Sequence, residues 1–106
     1  MLLNNKNNPE AAPYNRPFIT IVIPCFNEER ALEETLNQTV CYLENKKYKF
    51  EIVVVDDGSK DKTREKAGRI AQKNPTVQVI GYTRNRGKGY AIRKGIKGRW
   101  PDHLGY

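Results

Sequence analysis

Three short runs of β-branched and other apolar residues set the strongest limit on how this chain can fold. They are FITIVIP (residues 18–24), YKFEIVVVDD (48–57) and VQVIGYT (77–83). An apolar run of this length that stops at turn-forming or charged residues predicts a buried strand. Because these runs are continuous rather than alternating, we predict strands that are buried on both faces, as in a parallel sheet.

A helical pattern of apolar residues follows each of these strands. Ser59 or Asp61 is expected to cap the second helix, because Ser and Asp are favoured N-cap residues. The residues predicted to face the sheet are, helix by helix, Leu32, Leu36, Val40 and Leu43; Ala67, Ile70 and Ala71; and Ala91, Ile92 and Ile96. The order β-α-β-α-β-α predicts an α/β fold with a Rossmann-like parallel sheet and flanking helices.

The segments that follow the three strands are expected to meet at one edge of the sheet. They are PCFNEE (residues 24–29), DDGS (56–59) and RNRGKG (84–89). In open parallel α/β sheets, ligands bind outside the carboxyl ends of the strands. This shared position is the main argument, from the residues alone, for a binding site.

The adjacent acids at the end of the second run, Asp56 and Asp57, need partners because neighbouring carboxylates repel each other. In one interpretation, one carboxylate accepts hydrogen bonds from a base or ribose, and the other orients the loop or a metal-bound phosphate. The alternative is a turn with helix caps, since Asp, Gly and Ser are favoured there. In both cases Gly58 permits a tight turn or a close backbone approach.

The loops after the first and third runs allow the same two kinds of interpretation. Phe26 can flank a flat base, and Asn27 and Glu28 can bond to its edge or to a ribose, but Asn27 can equally cap a helix. In the third loop, Arg86 and Lys88 flank a glycine just before a helix, an arrangement that suits a diphosphate. This loop lacks the spacing of the GxxxxGK[ST] and GxGxxG motifs.

Charge is distributed unevenly along this chain of net charge +7. Residues 1–59 carry 6 Lys or Arg against 9 Asp or Glu, whereas residues 60–99 carry 13 against 2. The basic segment indicates an anionic partner such as phosphate, nucleic acid or a membrane surface, or else a solvated lysine-rich surface. A nucleic-acid-binding module is the less favoured alternative, because the basic residues do not alternate with stacking aromatic residues. No nucleic-acid partner is expected.

The cysteines and the histidine do not form a metal-binding pattern. Cys25 and Cys41 have no nearby cysteine or histidine, and His103 stands alone. Their spacing fits neither a disulfide framework nor a zinc site. We therefore predict no metal ligands among them and reduced thiols, as in the cytoplasm. No stretch approaches the roughly 18 apolar residues needed to span a bilayer.

In their order and spacing, the blocks TIVIPCFNEE, IVVVDDGSKDKT and NRGKGYAIRKG resemble those of the family 2 glycosyltransferases, which have the GT-A fold. The third block is most similar to the dolichyl-phosphate β-glucosyltransferase branch. The resemblance covers residues 18–98. It implies that the chain contains the nucleotide-binding half of a GT-A domain.

The resemblance implies a nucleotide-binding role for seven residues. Asp56 and Asp57 match acids that contact the uracil and ribose, and Arg86 and Lys88 match basic positions near the base and diphosphate. The other matching positions, which line the nucleotide, are Pro24, Phe26 and Glu28. On this basis the two acids face a nucleotide edge, and cations of the third loop balance their charge. No residue is assigned as catalytic.

The reaction implied by the resemblance is an inverting transfer of glucose from UDP-glucose to a polyprenyl (dolichyl) phosphate. A nucleotide sugar is the expected donor, with a UDP-sugar favoured over GDP-mannose. The full family enzyme is expected to use a divalent cation, Mg²⁺ or Mn²⁺, held by a DxD motif beyond the third helix. Here GRWPDHLGY (98–106) follows that helix, and Asp102 has no second acid two residues away, so no metal ligand is assigned.

The sequence is accordingly divided into a flexible lead-in (residues 1–16), an incomplete nucleotide-sugar-binding subdomain (17–98) and an irregular tail (99–106). Without the DxD motif and an acceptor half, we expect the chain not to catalyse by itself, and a non-catalytic nucleotide-binding fragment is the alternative. An uncovered sheet edge is expected to promote self-association. We expect a cytoplasmic location, with peripheral contact to the cytosolic face of a membrane.

Overall fold

The computed structural model describes residues 18–97. Strands and helices alternate as predicted: β1 (Phe18–Cys25), α1 (Leu32–Asn45), β2 (Lys49–Asp57), α2 (Thr63–Lys73), β3 (Val77–Tyr82) and α3 (Lys88–Ile96). The strands lie in the order β1–β2–β3, and both neighbouring pairs are parallel. The predicted α/β fold, a Rossmann-like parallel sheet with flanking helices, is confirmed. The predicted lead-in (1–16) and tail (99–106) lie outside the described residues.

The central strand, β2, is buried from both faces, which explains its uninterrupted apolar sequence. Ile52, Val53, Val54 and Val55 have no exposed surface. Successive side chains of a strand point to opposite faces of the sheet. Ile52 and Val54 therefore belong to the core layer beneath α1 and α2, whereas Val53 and Val55 pack in a smaller layer with Ala91 of α3.

The layer beneath α1 and α2 holds most of the core, and it contains the residues that helical spacing predicts. All four apolar residues predicted for α1 are buried. In α2, Ala67 and Ile70 are buried, and Ala71 packs half-buried against the same cluster. The longest helix, α1, has 14 residues, and no helix in residues 18–97 is long and apolar enough to cross a membrane.

The third helix lies on the opposite face of the sheet, where it packs against β1 and β2. Its buried residues are Ala91 and Gly95, one turn apart. Ala91 is the inward residue that the sequence predicts, but Ile92 and Ile96 are only half-buried. Gly95 takes the central position instead, because the absence of a side chain lets the helix backbone approach the sheet closely.

Strand β1 forms one edge of the sheet, and within residues 18–97 no strand pairs with its outer side. Its residues Ile19, Ile21 and Ile23 are half-buried, and Phe18 is 55% exposed. An apolar edge strand with unpaired backbone groups can pair with another chain. Self-association through β1 therefore stays a prediction.

Gly95→Ala is expected to destabilise the protein, although alanine is the better helix former. A β-carbon at position 95 would lie 2.5 Å from Cγ1 of Val22 and 3.0 Å from Cγ2 of Val55. Because α3 would have to move away from the sheet, we expect the free energy of unfolding to fall by about 1–3 kcal/mol. Urea denaturation measures this change.

Gly68→Ala in α2 is the matched control, since no atom lies within 4 Å of a β-carbon built at that position. There the higher helix propensity of alanine is expected to raise the free energy of unfolding by about 0.5–1 kcal/mol. If the two substitutions changed stability equally, α3 would not pack on the sheet through Gly95.

Candidate functional site

Three loops meet at the carboxyl edge of the sheet, one after each strand. The first loop comprises residues 26–31, the second 58–62 and the third 83–87. A cleft of about 250 Å³ opens at this edge. Its lining residues are Pro24, Cys25, Phe26, Glu28, Asp57, Asn85, Gly87 and Lys88. Five of the seven residues predicted from the sequence thus line one cleft, and Asp56 and Arg86 do not.

Asp57 is a buried carboxylate that holds the third loop in place. The backbone N–H of Arg86 donates to its Oδ1 (2.8 Å), and the N–H of Gly87 donates to its Oδ2 (3.0 Å). The side-chain amide of Asn85 donates to the same Oδ2 (3.0 Å) and to the Asp57 carbonyl (3.1 Å). Burial by itself raises the pKa of Asp57, but hydrogen bonds, including those from Arg86 and Gly87, lower it below its ordinary value.

The second and third loops are so close together that position 58 requires glycine. Gly58 has a φ of +76°, a conformation that side chains disfavour. A β-carbon there would lie 2.5 Å from the backbone nitrogen of Asn85. Both roles predicted for this glycine, a tight turn and a close approach of backbone, are therefore found in the structure.

Asp56 is 1% exposed and has different partners. Nε of Arg64 donates to its Oδ2 (3.1 Å), and the N–H of Ser59 donates to its Oδ1 (3.3 Å). Arg64 also donates to the carbonyl oxygen of Tyr82 (3.0 Å), which ties α2 to the end of β3.

The expectation that third-loop cations balance the two acids is therefore wrong. Asp56 pairs with a guanidinium of α2, and the charge of Asp57 is stabilised by hydrogen bonds from backbone and amide N–H groups. The physical reason is that adjacent residues of a strand point to opposite faces. The two carboxylates consequently do not share one site.

The first and second loops are joined by reciprocal hydrogen bonds. The N–H of Asn27 donates to Oγ of Ser59 (2.9 Å), while Oδ1 of Asn27 accepts a hydrogen bond from the N–H of Lys60 (2.9 Å). Nearby, the N–H of Glu28 donates to Oγ1 of Thr63 (2.8 Å). Asn27 therefore connects two loops and does not cap α1, which begins five residues later.

The prediction that Ser59 or Asp61 caps α2 is wrong, because the N-cap residue is Lys62 and the cap has no side-chain hydrogen bond. Oδ1 of Asp61 accepts a hydrogen bond from the N–H of Thr63 (2.9 Å), the first residue of α2. Ser59 instead accepts a hydrogen bond from the first loop, from the N–H of Asn27. A further link to the first loop comes from Glu29, whose side chain accepts from the N–H of Lys62 (2.8 Å).

Cys25 and Asn85 line the cleft, although the sequence analysis did not assign them to the site. The thiol of Cys25 is buried at the end of β1, 3.6 Å from the carbonyl oxygen of Val55. Burial, with a smaller effect from the charges of Asp56 and Glu28, raises its pKa to about 12. Cys25 is therefore an uncharged, apolar part of the lining at neutral pH. The only signal for either residue was its position within a loop block.

The side chain of Arg86 contacts Tyr90 and does not line the cleft. Its guanidinium carbon lies 5.2 Å from the centroid of the Tyr90 ring, and Tyr90 meets Tyr82 edge to face at 5.2 Å. Burial of the Tyr82 hydroxyl, together with its interaction with the Asp57 carboxylate, raises the pKa of Tyr82. A nucleotide contact by the Arg86 side chain stays a prediction.

Within residues 18–97, no group of three or more His, Cys, Asp or Glu side chains could hold a metal ion. Asp56 and Asp57 are both engaged by donors of the protein itself. This part of the chain therefore does not fit a resident divalent cation. The cation expected for the full family enzyme stays a prediction, and Asp102 lies outside the described residues.

Comparisons with known proteins agree with one another. The family model "Glycosyl transferase family 2" matches residues 20–98. The dolichyl-phosphate beta-glucosyltransferase of Homo sapiens is 39% identical over 105 residues, which is 89% of this chain and 32% of the relative. An undecaprenyl-phosphate 4-deoxy-4-formamido-L-arabinose transferase of Pseudomonas fluorescens is 41% identical over 87 residues, 80% of this chain and 25% of the relative.

A solved structure is similar as well. It is a mannosyltransferase from Pyrobaculum calidifontis in complex with GDP-Man and Mn²⁺, with a TM-score of 0.66 and 31% identity. The match covers 80% of this chain and 25% of that one. The chain thus spans about a third, or less, of the length of these relatives.

Asp57→Asn is expected to lower stability by an amount that depends on pH. The pKa of Asp57 is depressed in the folded protein, so its ionised carboxylate contributes stability above about pH 4, and this contribution is lost as the pH falls through the folded-state pKa. Near neutral pH we expect the free energy of unfolding to fall by about 1–3 kcal/mol. The difference in the free energy of unfolding between Asp57→Asn and wild type should become smaller below about pH 4.

Urea denaturation at several pH values between about 3 and 7 measures this difference. Glu44→Gln, at an exposed acid of α1, is the control and should follow wild type throughout. A difference between Asp57→Asn and wild type that stayed constant across this range would contradict the assigned role of the carboxylate.

Proposed function

Because the chain belongs to glycosyltransferase family 2, we propose that residues 18–97 bind the nucleotide of a nucleotide sugar whose sugar is transferred to a polyprenyl phosphate. One observation carries this proposal. The cleft at the carboxyl edge of the sheet is lined by both an acid, Asp57, and a lysine, Lys88. Open parallel sheets bind their ligands at this edge.

The nucleoside is assigned to the part of the lining that contains Phe26, Glu28 and Asp57. Phe26 is 42% exposed and offers an aromatic surface to a base. A carboxylate has about four lone-pair positions, and three N–H donors already bind Asp57. Asp57 therefore orients the third loop, and the Tyr82 hydroxyl also interacts with its carboxylate. Glu28, which is exposed, supplies the acceptor for a donor of the base or ribose.

The diphosphate is assigned to the start of α3. Lys88 is the first residue of this helix, and Gly87, with a φ of +98°, precedes it. The positive end of the helix dipole and the ammonium of Lys88 both favour an anion there. The backbone N–H of Arg86 binds Asp57 and so fixes the loop at this end of the site. The Arg86 guanidinium adds to the positive potential.

In the proposed reaction, a phosphate oxygen of the acceptor forms a bond to the anomeric carbon of the sugar. The bond from that carbon to the nucleoside diphosphate breaks, and the configuration is inverted. The phosphate nucleophile is already anionic at neutral pH, so no strong general base is needed. The described residues position the donor, and Lys88 stabilises the negative charge that develops on the leaving diphosphate. No step is assigned to a metal ion.

UDP-glucose is the proposed donor, and dolichyl phosphate is the proposed acceptor. Support comes from the identity to dolichyl-phosphate beta-glucosyltransferases and from the NRGKG sequence of the third loop. The structural neighbour is in complex with GDP-Man. GDP is therefore the competing ligand in the test.

Isothermal titration calorimetry of the chain with UDP and with GDP, each with and without Mn²⁺ at fixed salt, tests nucleotide binding. We expect UDP to bind more tightly than GDP. Lys88→Gln is expected to weaken UDP binding by roughly 10- to 100-fold, because a charge-assisted contact to the diphosphate is lost.

Lys73→Gln, at the end of α2 and outside the cleft lining, removes the same charge and is expected to leave UDP affinity unchanged. Tighter binding of GDP would replace glucose transfer by mannose transfer as the favoured reaction. Equal losses in the two lysine variants would refute the assignment of Lys88, and failure of both nucleotides to bind would refute the proposed function.

A further inference from the structure

The outward side of α3 carries a cluster of cations that the nucleotide cleft does not use. Residues 84–97 contain six Lys or Arg and no Asp or Glu. Since Ala91 and Gly95 face the sheet, the cations of the last turns lie on the exposed side of the helix. A depression of about 200 Å³ is lined by Tyr90, Arg93, Lys94 and Lys97. These four residues are called the α3 basic face.

We propose that the α3 basic face docks on the surface of a bilayer that contains anionic lipids. Its positive charge complements such a surface, and each Lys or Arg near an anionic membrane strengthens binding about fivefold. Electrostatic attraction extends about 8–10 Å at physiological salt. From Arg93 to Lys97 a helix rises only about 6 Å, so the three cations act on one patch of lipid.

The aromatic contacts of this face favour a membrane over a nucleic acid. Tyr90 is the only aromatic residue within residues 84–97. Its ring is already covered by the guanidinium of Arg86 and paired edge to face with Tyr82. Single-stranded nucleic acids are bound by basic grooves with several aromatic rings on which bases stack. The α3 basic face does not offer that combination.

The α3 basic face lies on the same helix as one end of the cleft, so docking would bring the cleft close to the bilayer. Lys88 begins α3 and also lines the cleft. The nine residues of the helix span about 13 Å, so a bilayer in contact with the α3 basic face lies within that distance of the proposed diphosphate site. The docking itself depends on charge alone. Its consequence, that the cleft is brought to a lipid-linked phosphate acceptor, rests on the proposed function.

Vesicle flotation with the full chain tests the docking. We expect binding to vesicles of phosphatidylcholine with about 30% phosphatidylserine, no binding to pure phosphatidylcholine, and weaker binding as salt rises. The triple variant Arg93→Gln, Lys94→Gln, Lys97→Gln is expected to bind anionic vesicles about 100-fold more weakly.

The matched control is the triple variant Lys46→Gln, Arg69→Gln, Lys73→Gln. It removes one arginine and two lysines, all at exposed positions. Lys46 follows the last residue of α1, and Arg69 and Lys73 belong to α2, so all three lie at the helices of the opposite face of the sheet. Its binding should stay within about threefold of wild type, because these charges lie on helices that pack against the other face of the sheet from α3.

Equal losses in the two triple variants would overturn the proposal, since binding would then depend on net charge and not on α3. Binding to pure phosphatidylcholine would overturn it in favour of an apolar contact. Binding of single-stranded RNA without binding to anionic vesicles would overturn it in favour of a nucleic-acid surface.

A UDP titration of the α3 triple variant in solution separates the docking from the proposed function. Wild-type affinity for UDP together with lost vesicle binding shows that the variant is folded, and it supports docking through α3. If the wild-type chain bound anionic vesicles but neither UDP nor GDP, the proposed function would fail and the docking would stand.

Discussion

The loop that follows β2 is the part of the structure on which the functional edge depends. On one side it binds the first loop, through the pair of hydrogen bonds that Asn27 makes with Ser59 and Lys60. On the other side, the carboxylate of Asp57 just before it accepts the N–H groups of the third loop. Connecting loops are ordinarily the most mobile parts of a domain. Here one loop orders its two neighbours, so the cleft has a defined shape.

The pleat of β2 explains how two adjacent carboxylates are tolerated in a buried position. Adjacent side chains point to opposite faces, so Asp56 meets Arg64 while Asp57 meets the third loop. A buried charge is costly unless it is compensated; Asp56 is compensated by an ion pair with Arg64, and Asp57 by several N–H donors. The donors keep Asp57 ionised by lowering its pKa. It is therefore a strong acceptor throughout the physiological range.

The third helix connects the core, the cleft and the outer surface. Its inner side has small residues, and Gly95 lets the backbone lie directly on Val22 and Val55. Its first residue, Lys88, lines the cleft, and its outer side carries only cations among its charged residues. One element thus combines close packing with two positive surfaces. Both surfaces suit anions, the first a nucleoside diphosphate and the second a lipid layer.

Patterns in the sequence are enough to predict the order of strands and helices, the inward residues of α1 and the meeting of three loops at one edge. The strands, the helices and their inward residues follow from the local periodicity of apolar residues. The meeting of the loops follows from the parallel order of the strands. The partners of the two acids, and the places of Cys25 and Asn85 in the cleft lining, depend on the tertiary structure. Asn85 and Gly87 reach Asp57 from about thirty residues away, and Gly95 packs because of how α3 crosses the sheet. Such contacts depend on strand register and on the distance between layers, which no local pattern specifies.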